Sequence, residues 1–174
     1  ATTAWNSHTF IHQLPDLSER DLVIVLSHTG RKEASKAALS IARSRGARVA
    51  LITGQHTEAD TTQTDMVLTT STPERSAAYT MSHSGAITVL AMVAASISEN
   101  MTDPAWEAIK ALPEAMHLAI SIDDQSRRLS RLYSDSRWLA FVGGGLNGAT
   151  AYEAALKINE TAYKITTAFE IEQF

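Results

Sequence analysis

Two short stretches of the 174-residue chain combine residue types suited to handling an anion. The first is Ser27-His28-Thr29-Gly30, followed by Arg31 and Lys32. It lies between an apolar, β-branched run, Asp21 to Leu26, and a segment whose Ala34, Ala37, Ala38, Leu39, Ile41 and Ala42 fall at helical spacing. A turn from a strand into a helix aims free backbone N–H groups and the positive end of the helix dipole at one spot. Ser27 and Thr29 add hydroxyls, and Gly30 lets the backbone approach a ligand closely. Together they predict an anion cradle, most simply for phosphate. Arg31 and Lys32 point the same way. Cations in a first helical turn oppose the dipole by roughly 0.3–1 kcal/mol each when exposed, and a bound dianion reverses that sign. The alternative is an ordinary capped helix, with Thr29 as N-cap and Glu33 offsetting the charge.

The second stretch is Gly143-Gly144-Gly145-Leu146-Asn147-Gly148-Ala149, again between a strand-like run and a helix-like one. A lone glycine cluster is a weak sign of dinucleotide binding, and glycines needed for a tight turn are the simpler reading. The following helix holds Glu153, Lys157 and Glu160 at i, i+4 and i+7, so all three share one face. One reading is a surface ion-pair ladder. The other is an active-site stripe, with one carboxylate as general base and the lysine near an oxyanion. Metal chemistry has little support. His8 and His12 are spaced i, i+4, but no third ligand and no HExxH accompany them, so no metal site is expected. His56 and His117 read as surface residues, His83 as part of a polar helix start, and Trp5, Trp106 and Trp138 as packing residues.

The elements that must position these groups alternate. Asp21–Leu26 reads as a strand buried on both faces, Arg31–Arg45 as a helix stopped by Gly46, and Ala47–Thr53 as a second strand. This βαβ unit implies a parallel sheet with a right-handed crossover. Asp65–Thr70 reads as a third strand, and Pro73 disfavours helix before it. A long helix is expected from about Ser76 to Ser98, apolar nearly all round in its second half and so buried against a sheet or a partner subunit. Thr102-Asp103-Pro104 opens another helix with a good cap. Pro113 restarts a helix that continues, with a break, to about Leu132, and Arg127, Arg128 and Arg131 read as its solvated face. Arg137–Val142 is a strand, Asn147–Lys164 a helix, and Thr167–Phe174 the beginning of a further strand. Near the start, Thr3–Trp5 is a candidate edge strand and Ser7–Leu14 a short helix. The fold class is open α/β.

Composition narrows the function. Apolar residues at 44% and charged residues at 20% fit a globular chain and not a disordered one. With no Cys there is no disulfide scaffold, thiolate zinc site, iron–sulfur cluster or Cys nucleophile. A formal charge of −4 argues against nucleic-acid binding. The longest apolar run, Ala86–Ile97, is short of a membrane span and is broken by Thr88 and Ser96, so no membrane partner is expected. No signal peptide is visible, and a cytoplasmic location fits. Both ends look cut, as in a fragment.

Taken together, the two turns resemble the sugar isomerase (SIS) domain family, especially its two-domain members. Those include the isomerase half of glutamine–fructose-6-phosphate transaminase and related phosphosugar isomerases and deglycases. The resemblance rests on Asp21–Thr53, on Thr72-Pro73-Glu74 followed by Ala77-Ala78-Tyr79-Thr80-Met81, and on Gly143–Glu160 with its Glu-x-Ala-Leu-Lys-x-x-Glu-like helix. It implies an open, mostly parallel sheet flanked by helices, a flavodoxin-like three-layer sandwich. It also implies a sugar-phosphate ligand, no cofactor, and a homodimer, for which the apolar helix around Ala86–Ile97 also argues. By position, Ser27, His28, Thr29, Gly30 and Lys32 fall where the family binds sugar phosphate. Lys157 and Glu160 fall where transaminase-type members keep a lysine and their enolisation base, and Glu153 matches the acidic residue one turn earlier.

The departures are specific. Lys32 replaces a phosphate-binding Ser or Thr, though a lysine still binds phosphate as a point charge. His28 replaces Gln, and Met81 replaces a lysine, so transaminase activity itself is not expected. No glutamine-hydrolysing domain or N-terminal Cys is present, so free glutamine is not expected as an ammonia source. The opening strand–helix unit of the first domain is missing, and the chain stops before the family's His-Gly-Pro segment. On this reading residues 1–101 are a SIS-like domain, 102–135 connecting helices, and 136–174 the start of a second SIS-like domain. The expected function is proton transfer between C1 and C2 of a sugar phosphate, through an enediol or enolamine, with an incomplete catalytic set. The alternative is a module that senses a phosphosugar without turning it over.

Overall fold

A computed structural model of the chain describes residues 2–97 and 104–174. They fall into two compact units, divided after Ile109.

In the first unit, strands β1 (Leu22–Leu26), β2 (Arg48–Thr53) and β3 (Met66–Thr69) form one parallel sheet in that order. Leu22 pairs with Arg48 and Leu26 with Ile52; Ala50 pairs with Met66 and Thr53 with Thr69. Central β2 is apolar on both faces because both are covered, and Val49, Leu51 and Ile52 are its largest fully buried side chains. Helix α1 (Ser7–Gln13) and helix α2 (Glu33–Ser44) contribute Phe10, Ala38, Leu39 and Ala42 to the cluster that holds Val49 and Leu51. Each large aliphatic side chain buried this way contributes about 1.5–3 kcal/mol. At the amino end of the sheet Asp65 accepts from the Val49 N–H at 2.8 Å and pairs with Arg43 of α2.

Several expectations need correction here. β1 is not buried on both faces: Val23 and Val25 pack into the cluster with α1 and α2, while Leu22 and Leu26, on the opposite face, are 52% and 47% exposed. Thr3–Trp5 forms no strand; the chain there leads to Asn6, whose side chain takes the N–H groups of His8 and Thr9 and caps α1. Helix α2 starts at Glu33, with Lys32 in the N-cap position, so Arg31 and Lys32 precede its first turn. Helix α3 runs Thr80–Ile97 and starts four residues later than the spacing predicts. The Glu74 side chain explains the delay, since it takes the N–H groups of Met81 and Ser82 that open the helix.

The apolar half of α3 is not buried against the sheet of its own unit, one of the two covers that the sequence predicts: Ile87, Met92 and Ile97 are exposed. By length and composition α3 is also long and apolar enough to cross a membrane, contrary to the sequence reading. Its start is tied to the sheet, however. A Cβ on Gly85 would stand 3.2 Å from the Thr70 Cβ, and Tyr79, just before the helix, packs on His28.

Helix α4 (Pro104–Ile120) contains Pro113 within it, so the predicted restart at that proline does not occur. The break comes at Ser121–Ile122, before helix α5 (Asp123–Leu132). The predicted cap at Thr102–Asp103 and the predicted helix end at Ser98 lie outside the described residues. Arg127, Arg128 and Arg131 are exposed, as a solvated face requires.

In the second unit β4 (Trp138–Gly143) and β5 (Ile165–Glu170) pair in parallel, with helix α6 (Leu146–Ala162) as the crossover. Ala151 and Ala155 of α6 bury against Ala168 and Phe141. The last strand lies earlier than predicted and gives way to a helical turn at Ile171–Gln173. Both units are α/β, with parallel sheets flanked by helices.

Candidate functional site

The Ser27–Lys32 turn leaves the carboxyl end of β1, where ligands of open parallel sheets bind. Its conformation is fixed from two sides. The buried Ser27 donates its N–H to the Ile52 carbonyl, and the Gly30 N–H closes back on the Ser27 carbonyl. Gly30 sits at φ 66°, and a Cβ there would stand 2.3 Å from the Ala59 Cβ. The glycine is therefore demanded by backbone conformation and by the 55–64 loop, independently of any ligand. Thr29 is not the N-cap; its Oγ1 accepts from the Arg31 N–H at 3.3 Å. The first helical bonds run from Ser35 and Lys36 to the Lys32 carbonyl. The N–H groups of Glu33 and Ala34 thus open the helix without an intrahelical acceptor. No side chain caps them, and the Glu33 carboxylate instead meets Lys36 Nζ at 3.0 Å. Arg31 reaches Glu58 at 3.5 Å across exposed surface.

Around this turn the other strand ends close in. The His28 carbonyl accepts from the Gly54 N–H and from Thr53 Oγ1, and the Ser71 carbonyl accepts from the Gln55 N–H. The His28 ring lies on Tyr79, centroids 4.7 Å apart. Tyr79 holds φ 51°, a left-handed conformation that disfavours a bulky side chain. His28 Nδ1 and Ser71 Oγ are buried without a hydrogen-bond partner.

Glu74 serves the start of α3. Its carboxylate accepts from Ser82 N (2.8 Å), Ser82 Oγ (2.9 Å), Met81 N (3.2 Å) and Thr80 Oγ1 (3.3 Å). Desolvation pushes its pKa up, but the bonds from Ser82, Met81 and Thr80 together outweigh that and hold it below the ordinary value. This helix start already has its own anion.

In the second unit the Glu153–Lys157–Glu160 stripe is a mutual ion-pair set. Lys157 Nζ stands 2.8 Å from Glu160 Oε2 and 3.4 Å from Glu153 Oε1. The Glu160 bond chiefly raises the Lys157 pKa, desolvation works against it, and the Glu153 charge adds to it. Lys157 is therefore a firm cation suited to holding or neutralising negative oxygen. The glycines before α6 have structural causes. A Cβ on Gly143 would lie 2.0 Å from the Asn147 carbonyl oxygen, and Gly145 sits at φ 58°. Gly148 makes room for the Glu170 carboxylate, whose Oε1 would stand 2.4 Å from a Cβ there. Among the described residues no group of three His, Cys, Asp or Glu side chains is arranged to hold a metal, His8 and His12 included.

The model of the SIS domain matches residues 3–98, more than half of the chain. The chain belongs to the SIS domain family. A relative by sequence is the isomerizing glutamine–fructose-6-phosphate aminotransferase of Thermococcus kodakarensis, 29% identical over 163 residues, which are 88% of this chain and 27% of that protein. Among solved structures, the C-terminal domain of glucosamine–fructose-6-phosphate aminotransferase from Francisella tularensis superposes with a TM-score of 0.77 at 17% identity, covering 94% of this chain and 48% of that one. Glucosamine-6-phosphate deaminase from Thermotoga maritima superposes with a TM-score of 0.69 at 24% identity, covering 94% and 50%. The SIS chain thus spans about a quarter of the length of the curated relatives it matches and about half of these structures.

The candidate site residues sort by unit. Ser27, His28, Thr29, Gly30 and Lys32 form one turn in the first unit. Glu153, Lys157 and Glu160 form one ion-paired face in the second. Ser71 and Tyr79 were not singled out as site residues. Ser71 reads as an ordinary turn residue before Pro73. The signal that finds it is the rule that every parallel strand contributes at its carboxyl end.

Proposed function

We propose that this SIS chain binds a sugar phosphate at the Ser27–Lys32 turn and belongs to an isomerase-type enzyme acting on a hexose phosphate or amino-sugar phosphate. The observation that carries the reading is the uncapped start of α2. No side chain caps its first N–H groups, hydroxyl-bearing Ser27 and Thr29 lie in the turn before it, and Lys32 occupies the cap position. The names of its relatives, an aminotransferase of fructose 6-phosphate and a glucosamine-6-phosphate deaminase, support the same ligand class. To the second unit we assign acid–base work. Glu160 moves a proton between C1 and C2 through an enediol or enolamine, and Lys157, held charged between Glu153 and Glu160, binds the sugar or stabilises charge on oxygen. Residues 136–174 are assigned to the opening of a second SIS-like domain, supported by their parallel βαβ arrangement.

The test is a thermal-shift panel of fructose 6-phosphate, glucose 6-phosphate, glucosamine 6-phosphate, the free sugars and inorganic phosphate. Ligand at about 100 Kd stabilises the fold by about 2.7 kcal/mol. A shift with a sugar phosphate and not with its free sugar is expected; no shift with any phosphate refutes the reading. In an active preparation Glu160→Gln is expected to lower turnover about 10²–10⁴-fold with little loss of binding. Ligand binding with no proton exchange at C1 or C2 would mark a sensing module instead. A homodimer is part of the same proposal, supported by exposed Ile87, Met92 and Ile97 on α3. A monomer at micromolar concentration by light scattering would refute it. A cytoplasmic location, consistent with the absence of Cys, completes the reading.

A further inference from the structure

Helix α5 (Asp123–Leu132) has no buried residue, and neither has α4 before it. Isolated helices shorter than about 12–15 residues are marginal in water, and most helices are held by packing of an apolar face. α5 has 10 residues, so it needs such a cover. The face is present. Ile122 at the N-cap, Leu129, Leu132 and Tyr133 at the C-cap recur at helical spacing and so share one side. All four are exposed, Leu132 by 72%. The charges beside this stripe are sorted by end. Asp123 and Asp124 stand in the first turn and Arg131 in the last, with Arg127 and Arg128 between them. Arg127 is taken by Asp123 at 2.7 Å, whereas Asp124, Arg128 and Arg131 enter no ion pair among the described residues.

We infer that α5 is an interface helix that pairs antiparallel with the α5 of a second copy of this chain. The charge order selects this occupant. A partner of one sign, such as a nucleic acid or an anionic membrane, meets attraction at the arginine end of α5 and repulsion at the aspartate end. A second copy laid antiparallel carries the complementary order: Asp124 of each helix comes to the arginine end of the other, with the two apolar stripes between. A two-fold axis makes every such contact twice, which suits a surface that complements itself. Complementary charge also sets the register and disfavours a parallel arrangement, in which like ends would meet. The inference rests on the homodimer reading and deepens it, adding a contact surface in the second unit to α3 in the first.

The test uses two variants of the full chain, Asp124→Arg and Arg128→Asp/Arg131→Asp, and measures association by sedimentation across a range of micromolar concentrations. The first leaves α5 basic over most of its length and the second leaves it acidic; both keep the Asp123–Arg127 pair. Each variant alone is expected to dimerise with a Kd about a hundredfold higher than the wild type, because like charges now meet across the axis. An equimolar mixture of the two is expected to regain tight association as a heterodimer, which also shows that both variants are folded. Unchanged dimer affinity in both variants overturns the α5 pairing and leaves a homodimer through α3 standing. Weakened variants that do not associate on mixing also overturn it, since the loss would then not be one of charge order. A monomeric wild type overturns both.

Discussion

Gly30→Ala is the most direct probe of the turn on which the functional reading depends. Two penalties apply, and they are separable. The backbone sits at φ 66°, where an L side chain costs about 1–2 kcal/mol. The new Cβ would also stand 2.3 Å from the Ala59 Cβ and 3.1 Å from its Cα, so the 55–64 loop must move. Overpacking of this kind costs typically about 1–3 kcal/mol. The sum is a loss of about 2–5 kcal/mol, read as a lower urea midpoint with unchanged slope. A second substitution divides the sum. Ala59→Gly removes the closest atom and leaves the backbone conformation in place. Gly30→Ala/Ala59→Gly should therefore recover the overpacking share, about 1–3 kcal/mol, beyond what the two single changes predict additively. A loss below about 1 kcal/mol in Gly30→Ala, or strict additivity in the double variant, would refute the account of why this glycine is there.

Glu74→Gln should weaken the start of α3 and flatten the acid limb of the stability curve. The Glu74 pKa is lowered in the fold from its ordinary 4.5, so its contribution is present above that value and is lost as pH falls below it. Urea midpoints from pH 3 to pH 6 check this, and parallel wild-type and variant curves would contradict it. In the second unit Gly143→Ala should be the most damaging of the turn glycines, because its Cβ would lie 2.0 Å from the Asn147 backbone oxygen. Gly145→Ala meets nothing within 4 Å and should cost only the roughly 1–3 kcal/mol of a backbone at φ 58° and ψ −128°, outside the left-handed helical region. Equal melting temperatures for the two variants would refute that ranking.

How legible each element was depended on where its determinants lie in the chain. β2 was plain because Val49, Leu51 and Ile52 are buried whatever else surrounds the sheet. The exposure of Leu22 and Leu26 in β1 is not plain in the sequence, since it depends on what packs over that face of the sheet, and no local pattern states that. The start of α3 was misplaced because the group that sets it, Glu74, reaches Met81 and Ser82 from seven and eight residues away. Pro113 does not restart the helix: a missing N–H lowers helix propensity, but propensity yields to context over a helix of 17 residues. Within the candidate site, Ser27 to Lys32 were legible as a group because one turn holds them in sequence. The stripe on α6 was legible because helical spacing alone fixes that face. Ser71 and Tyr79 acquire their significance only from the neighbouring strand end and from the His28 ring, contacts that separate 28 from 71 and 79 along the chain.

The first sheet treats its two rims unequally. At the amino rim Asp65 ties the Val49 N–H and Arg43 together, so substitution there breaks bonds that already exist. At the carboxyl rim His28 Nδ1 and Ser71 Oγ make no hydrogen bond to any described residue. Substitution of Asp65 therefore breaks hydrogen bonds, whereas substitution of Ser71 breaks none made by its side chain. A lineage built on this sheet can exchange Ser71 while its architecture stays as it was, without passing through an unfolded ancestor.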